Sequence, residues 1–396
     1  MQADMTTEIV IAGGAVIGSS IACHLAMHPS FSGTIRVIEP DMSYQKSASA
    51  LSAGSIRQQF SQSVNIAISL YGISFLRGLG ETLAVEGEKP QVGLVEGGYL
   101  YLGGPEAEPV FALNNAAQRG HGADIALMDA PALATRFPWL NVDDIAIGSY
   151  GRSGEGWFDG YGLMQAFRAK ARSLGVIYET GRITGLDQAG GRITGVALED
   201  GRRIACGHFI NAAGASGARQ ICMLAGVDVP VYAKKRSVFS FSCKEKLIHH
   251  PLLIDKTGVW WRPEGEGFIT GYSPDDLDET DHAADFEVDW PLFEEVIWPA
   301  LAHRVPAFEA IRPGRAWAGH YDMNLLDHNA IIGRMGGLAN GWLACGFSGH
   351  GLQQSPAVGR YLSEMIVDGR AMTLDLSDLG YERIFRKTPL LERNVI

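Results

Sequence analysis

The chain has 396 residues, and a hydrophobic content of 46% supplies a full core and argues against bulk disorder. The formal charge of −11, with no long Lys/Arg run, excludes nucleic acid or an anionic membrane as the main partner. An anionic small molecule stays possible, because a few local arginines can dominate a small site.

Met1–Glu8 carries neither a basic segment nor an apolar signal core. The run Ile9–Ile21 is interrupted by small residues and is too short to span a bilayer, so no transmembrane segment and a cytoplasmic location are expected. Ile9–Ala12, bounded by Gly13-Gly14, reads as a buried parallel strand, Ser19–Met27 as a helix, and Ile35–Glu39 as a second strand ending on an acid. This is one βαβ unit of mononucleotide-binding length. The intervening loop Gly13-Gly14-Ala15-Val16-Ile17-Gly18 approximates G-x-G-x-x-G, in which backbone N–H groups and the helix dipole meet a pyrophosphate. Ala15 departs from the pattern, placing a methyl where backbone should approach phosphate. Glu39, 21 residues after Gly18 and followed by Pro40, can accept from ribose hydroxyls and would repel a 2′-phosphate. Strand, helix and acid together carry the dinucleotide reading, with no metal required.

From Val176 to Ala213, short β-type runs separated by Gly181, Gly190-Gly191 and Asp200-Gly201 predict a β-meander. Five tryptophans follow between Pro230 and Trp317, in a mixed region expected to wall a pocket. If Trp260 and Trp261 share a strand, at most one of them faces that pocket. Lys234-Lys235-Arg236 reads as a solvated strand edge, His249-His250 as a surface loop, and the acidic run Asp275–Asp281 as a solvated loop without EF-hand spacing. Five scattered cysteines without a C-x-x-C pair indicate a reducing compartment, no disulfide framework and no zinc site. Ala330–Ile332 and Trp342–Ala344 are strands. Ala344–Leu352 runs from a strand through glycines into a helix over about Leu352–Val367, with Pro356 placed in the first turn. Neither Gly346-x-Ser348 nor Gly214-x-Ser216 completes the G-x-S-x-G of a hydrolase.

A single dinucleotide loop, followed by a meander rather than further βα units, favours FAD over a nicotinamide cofactor. A helix N-terminus at the C-terminal glycine loop suits the negative charge of a reduced flavin. Five segments in order resemble the D-amino-acid oxidase/glycine and sarcosine oxidase-like superfamily of FAD enzymes. They are Gly13–Gly18 with Glu39, Asn211–Ser216, Arg262–Gly265, Ala316–Gly319 and Gly346–Gly351. Ser55–Phe60 and Gly346–Gln354 are similar to the branch that contains an FAD-dependent oxidoreductase domain protein acting in complex I assembly. The resemblance implies an α/β (α+β) fold in which a Rossmann-like FAD-binding domain (5–90, 152–226 and 327–385) is interleaved with a mixed β-sheet substrate domain (91–151 and 227–326). It also implies FAD contacts at Gly13, Gly14, Ala15, Val16, Ile17, Gly18, Glu39, Pro40, Ser47, Ser52, Ala53, Gly54, Val176, Ala213, Gly214, Gly346, Ser348, Gly349, His350, Gly351 and Leu352. The substrate would face Arg57, Tyr272, His320, Tyr321 and His350. Gly319 stands where sarcosine oxidases carry a flavin-linking cysteine, so the implied FAD is non-covalent. Ile269 stands where they carry a lysine thought to assist oxygen, which opens a dehydrogenase reading.

Arg57 is the first candidate to grip a substrate carboxylate, the competing role being a phosphate or backbone contact. Arg262 reads either as an anchor or as a surface hairpin charge. The leading expectation is oxidation of the C–N bond of a small amine or amino acid (N-alkyl or D-configured) by hydride transfer to flavin N5. The electron acceptor would be O2 or a respiratory carrier. A 2-hydroxy-acid dehydrogenase, with His320 as base, and a flavin-bound assembly protein are the alternatives.

Overall fold

The computed structural model describes residues 8–274 and 278–393. Part of the acidic run, 275–277, lies outside the described residues, as does most of Met1–Glu8.

Strict two-residue alternation within an almost wholly apolar strand requires two cores, and the first strand, Glu8–Ala12, makes both. Ile9 and Ile11 enter one cluster and Val10 and Ala12 another. That strand is central in a six-stranded sheet ordered Ile331–Arg334, Gly341–Cys345, His208–Asn211, Glu8–Ala12, Thr34–Glu39 and Ile177–Thr180. All neighbours are parallel except the hairpin pair Ile331–Arg334 and Gly341–Cys345. The chain leaves Glu8–Ala12 toward Thr34–Glu39 on one side and returns to His208–Asn211 on the other. This is the switch point beyond whose carboxyl ends a doubly wound sheet opens a crevice. Helices Val16–Met27, Ser63–Thr82, Gly160–Ser173 and Gly351–Val367 cover one face.

The predicted meander is shorter than expected. Ile177–Thr180 and His208–Asn211 belong to the parallel sheet, leaving three antiparallel strands, Ile183–Ala189, Arg192–Leu198 and Arg203–Ala205, over its second face. Pro356 is also displaced from its expected place, because the last long helix begins at Gly351 and holds the proline internally. The proline cannot donate to the Leu352 carbonyl, and the Ser355 hydroxyl does so instead at 2.9 Å.

An eight-stranded mixed sheet forms the second layer. Its order is Arg312–Asn324, Val231–Ser242, Gly267–Tyr272, Val259–Glu264, Leu252–Ile254, Tyr99–Gly103, Ile147–Gly151 and Ile125–Asp129. Val231–Ser242 is therefore an interior strand, which corrects the reading of Lys234-Lys235-Arg236 as a solvated edge. Phe239, Phe241 and Trp261 fill the core on one face of this sheet. His250 is likewise no surface residue: it stacks on Trp139 with ring centroids 4.5 Å apart and accepts from the Trp261 indole at 2.9 Å. Burial pushes its ring down to about 4. The other face of the sheet turns toward the crevice.

Candidate active site

A cavity of about 450 Å³ occupies that crevice. At one end the first strand stops at Gly13, whose positive φ of 92° and contact with the Ala212 carbonyl leave no place for a side chain. A Cβ on Gly18 would strike the Gly13 carbonyl, so the helix can begin this close to the strand only with glycine there. The loop is tied from outside: Gly14 N–H donates to Glu39 Oε2 at 2.8 Å and Val16 N–H to Ser49 Oγ at 3.2 Å. Burial raises the Glu39 carboxyl above its ordinary value, and the N–H groups of Gly14 and Asp41 oppose that rise. Ala15, Val16 and Ile17 line the cavity at the N-terminus of the Val16–Met27 helix, whose first-turn N–H groups have no intrahelical acceptors.

In the same crevice, Gly346–Gly351 enters the Gly351–Val367 helix, which packs beside the Val16–Met27 helix. Asp322 holds this loop: its Oδ2 accepts from Gly346 N–H at 2.8 Å, and its carbonyl accepts from Ser348 N–H at 3.1 Å. Burial lifts the Asp322 carboxyl to about 6, with the N–H groups of Phe347 and Gly346 opposing. Gly349, with φ 89°, packs its Cα against the Tyr321 ring. His350 lies behind the loop, with Arg57 Nη2 at 2.9 Å from its Nε2. A guanidinium only donates, so Nε2 accepts and Nδ1 carries the proton. Burial first, and then Arg57, hold this imidazole well below its ordinary range. Arg57 itself is 1% exposed, donates to the Gln59 carbonyl at 2.6 Å and lies 4.0 Å from the Phe60 ring centroid.

Antiparallel pairing of Arg236 with Gly319 and of Lys234 with Tyr321 puts Arg236 and Tyr321 diagonally on one face. The Arg236 guanidinium lies 5.1 Å from the centroid of the Tyr321 ring, and both line the cavity. Tyr272, Trp260, His320 and Phe286 complete this end. Trp260 faces the cavity while Trp261 fills the core behind, as strand alternation requires. His320 Nε2 sits 2.8 Å from the Asp285 carbonyl, and burial lowers its ring below the ordinary value.

Among the expected residues, Gly13, Ala15, Val16, Ile17, Glu39, Pro40, Ser47, Ser52, Ala53, Ala213, Gly214, Gly349, Gly351, Leu352, Tyr272, His320 and Tyr321 line this cavity. Gly14, Gly18, Gly54, Gly346, Ser348, His350 and Arg57 do not and lie behind it, while Val176 precedes the Ile177–Thr180 strand at the amino end of the parallel sheet and packs in the helix-covered core. Arg57 is turned toward His350 and Phe60 instead of the cavity. Arg262 is neither an anchor nor a surface charge: it is buried, donates to the Ala53 carbonyl and pairs with Glu264, tying the second sheet to the 52–54 turn. Arg236, Asp322 and Phe286 were not expected here. Arg236 shares its two-residue phase with Val238, which also lines the cavity, and this was the available signal.

The cavity brings together an acid, a helix N-terminus and a second glycine loop, and no Cβ fits at Gly13 or Gly18. These features fit an extended dinucleotide, with Gly13–Ile17 and Glu39 able to hold its adenosine diphosphate portion. No cysteine lines it among the described residues, and no cluster of metal-ligating groups occurs among them.

The chain belongs to the DAO family of FAD dependent oxidoreductases, whose sequence profile matches residues 8–365, and members of this family bind FAD. It is therefore an FAD-dependent oxidoreductase. It is 39% identical to the FAD-dependent oxidoreductase domain-containing protein 1 of Xenopus laevis, covering 98% of this chain and 85% of that protein. Its fold is similar to L-proline dehydrogenase from P. horikoshii (TM-score 0.84, 25% identity, covering 96% and 98% of the two chains). It is also similar to glycine oxidase from Geobacillus kaustophilus (TM-score 0.80, 20% identity, 95% and 98%). No helix of the described residues is long and apolar enough to cross a membrane.

Proposed function

We propose that the protein oxidises the C–N bond of a small amino acid, passing the electrons to O2 or to an electron-transfer carrier. The observation that carries this reading is the buried Arg236 guanidinium lining the cavity beside the Tyr321 ring, a cation suited to hold a carboxylate there. FAD, when bound, supplies the hydride acceptor; this chain's residues position what reacts with it. Tyr321 keeps its phenol protonated, because burial raises it, and so can donate a hydrogen bond beside Arg236. Burial lowers the His320 imidazole below its ordinary value, and its Nε2–H donates to the Asp285 carbonyl. Arg57 fixes His350 and thereby the glycine loop, and Arg236 replaces it here as the anchor. The names of the structural neighbours, a proline dehydrogenase and a glycine oxidase, agree with an amino-acid substrate.

The test is anaerobic mixing of the purified flavoprotein with amines, D- and L-amino acids, N-methylated amino acids and 2-hydroxy acids, following the flavin visible band. Bleaching by an amino acid is expected. Bleaching by hydroxy acids alone, or by none of these compounds, refutes the proposal.

A further inference from the structure

Residues 278–289 form a strap over the cavity, with Ala283, Ala284 and Phe286 lining it, and the helical segment Trp290–Arg304 follows directly. Asp289 joins the two: its N–H reaches Ser237 Oγ at 3.1 Å, and Ser237 also lines the cavity. The segment buries Phe293, Ile297 and Leu301 in the core beneath the eight-stranded sheet. Its outward row is Trp290, Glu294 and Trp298, with the two tryptophans 45% and 42% exposed. On a regular α-helix a spacing of eight residues sets two side chains about 80° apart. The looser π turn Phe293–Ile297 takes up most of that angle and brings both indoles to one face. Pro291, Val296 and Pro299 are exposed beside them, and Trp290 is held edge-on to Phe239 with centroids 5.5 Å apart. Tryptophan at such a surface is the residue type that most often carries the binding energy of a protein interface.

Around this apolar centre the charge has one sign. Between 278 and 300 the chain holds eight Asp or Glu residues and no Lys or Arg. Asp278 and Asp285 are neutralised by Lys234 and Lys235, at 2.8 and 2.6 Å. The other six, Glu279, Asp281, Glu287, Asp289, Glu294 and Glu295, are exposed and form no ion pair among the described residues. Aromatic centre and charged rim are the anatomy of a protein interface. An anionic membrane would repel these carboxylates. A second copy of this chain, paired isologously, would set acids against acids. The face is complementary to a basic protein.

Resting on the flavin reading above, in which electrons leave the protein after each turnover, we propose that this face docks a small basic electron-carrier protein. Lysines or arginines of the carrier meet the carboxylates, and its apolar centre meets Trp290 and Trp298. The placement suits such a partner, because the strap that walls the cavity runs directly into the docking face. Two molecules of a one-electron carrier take the two electrons held by one reduced FAD, and one proton is released to solvent. A patch of this size fits the small, transient interfaces of redox partners.

The probe is ferricytochrome c, a basic one-electron carrier, mixed without oxygen with the FAD-loaded protein whose flavin has been reduced by light. Haem reduction should be second-order and slow about tenfold or more between about 0.02 and 0.2 M salt. Glu294→Lys with Glu295→Lys should lower the low-salt rate about tenfold, and Trp298→Ser should do the same. Sedimentation of the two oxidised proteins together should show the same losses in binding, without electron flow. Glu106→Lys with Glu108→Lys makes an equal charge change beyond the Tyr99–Gly103 strand, four strands from Val231–Ser242 in the same sheet. That pair should cost less than about twofold. Benzoquinone, small and uncharged, should reoxidise every variant at the wild-type rate. A rate indifferent to salt, equal losses from the two charge-reversed pairs, no loss from either patch variant, or a parallel loss with benzoquinone would overturn the proposal. Because light and not substrate reduces the flavin, failure here leaves the amino-acid reading standing, and failure of that reading leaves this result standing.

Discussion

Replacing Arg236 by Met removes the cation proposed to hold the substrate carboxylate while keeping an unbranched, apolar side chain of similar length. Arg236 is 8% exposed and lies on an interior strand, so bulk screening is weak. Opposite charges about 4 Å apart attract by ~4 kcal/mol at an effective dielectric of ~20. Truncating one partner of a buried pair costs ~2–5 kcal/mol, which brackets that value. About 4 kcal/mol corresponds to ~10³-fold in kcat/KM. Arg236→Lys keeps the charge but loses the fork, so a loss of only ~10-fold is expected. The assay is the rate of anaerobic flavin reduction by a substrate amino acid and by the amine that lacks its carboxyl group. In Arg236→Met the amino acid should fall by about three orders of magnitude and the amine should hold its wild-type rate. Equal losses on both compounds, with FAD still bound, would refute the reasoning, because the arginine would then serve the fold or the flavin and not the carboxylate.

Gly13→Ala should yield a folded protein with little or no FAD, because the added methyl meets the Ala212 carbonyl and the backbone φ is 92°; flavin absorbance per protein reads this. Asp322, lifted by burial to about 6 from an ordinary 3.8, favours folding in its protonated form. Its contribution is complete below about pH 3.8 and is lost as pH rises through about 6, to a total of ~3 kcal/mol. Asp322→Asn should therefore gain stability over wild type at pH 8 and converge with it near pH 4 in urea titrations, and a variant less stable at pH 8 contradicts this. Glu392, 3% exposed, accepts from Ser61 N–H at 2.8 Å, Ser61 Oγ–H at 2.7 Å and Asn65 Nδ2 at 3.0 Å at the start of the Ser63–Thr82 helix. Glu392→Ala strands those donors and should cost ~1–3 kcal/mol in thermal or urea unfolding.

The dinucleotide end was legible because its chemistry is local: strand, glycine turn, helix and acid lie within one short stretch, Ile9–Glu39. The substrate end is assembled from residues far apart in the chain: Tyr272, His320 and Tyr321 line the cavity as the family resemblance implied, while local pattern missed Arg236. Three consecutive cations at Lys234–Arg236 resemble a solvated edge until the strap supplies Asp278 and Asp285 as partners. Arg57 carried the family resemblance, yet the adjoining backbone binds Glu155 and Gln353 and turns its guanidinium toward His350, away from the cavity. His250 looked exposed beside His249 because nothing nearby in sequence announces Trp139 and Trp261. The meander was overextended because an edge strand of the parallel sheet and the hairpin strands share the same β-branched composition.

The central claim, oxidation of a C–N bond at this cavity, is tested most directly by product analysis of a single anaerobic turnover. One equivalent of imine should form for every flavin bleached, detected as the carbonyl compound plus ammonia or amine from an acyclic substrate and as the cyclic imine from a ring amine. Bleaching that yields neither an imine nor its hydrolysis products would contradict it.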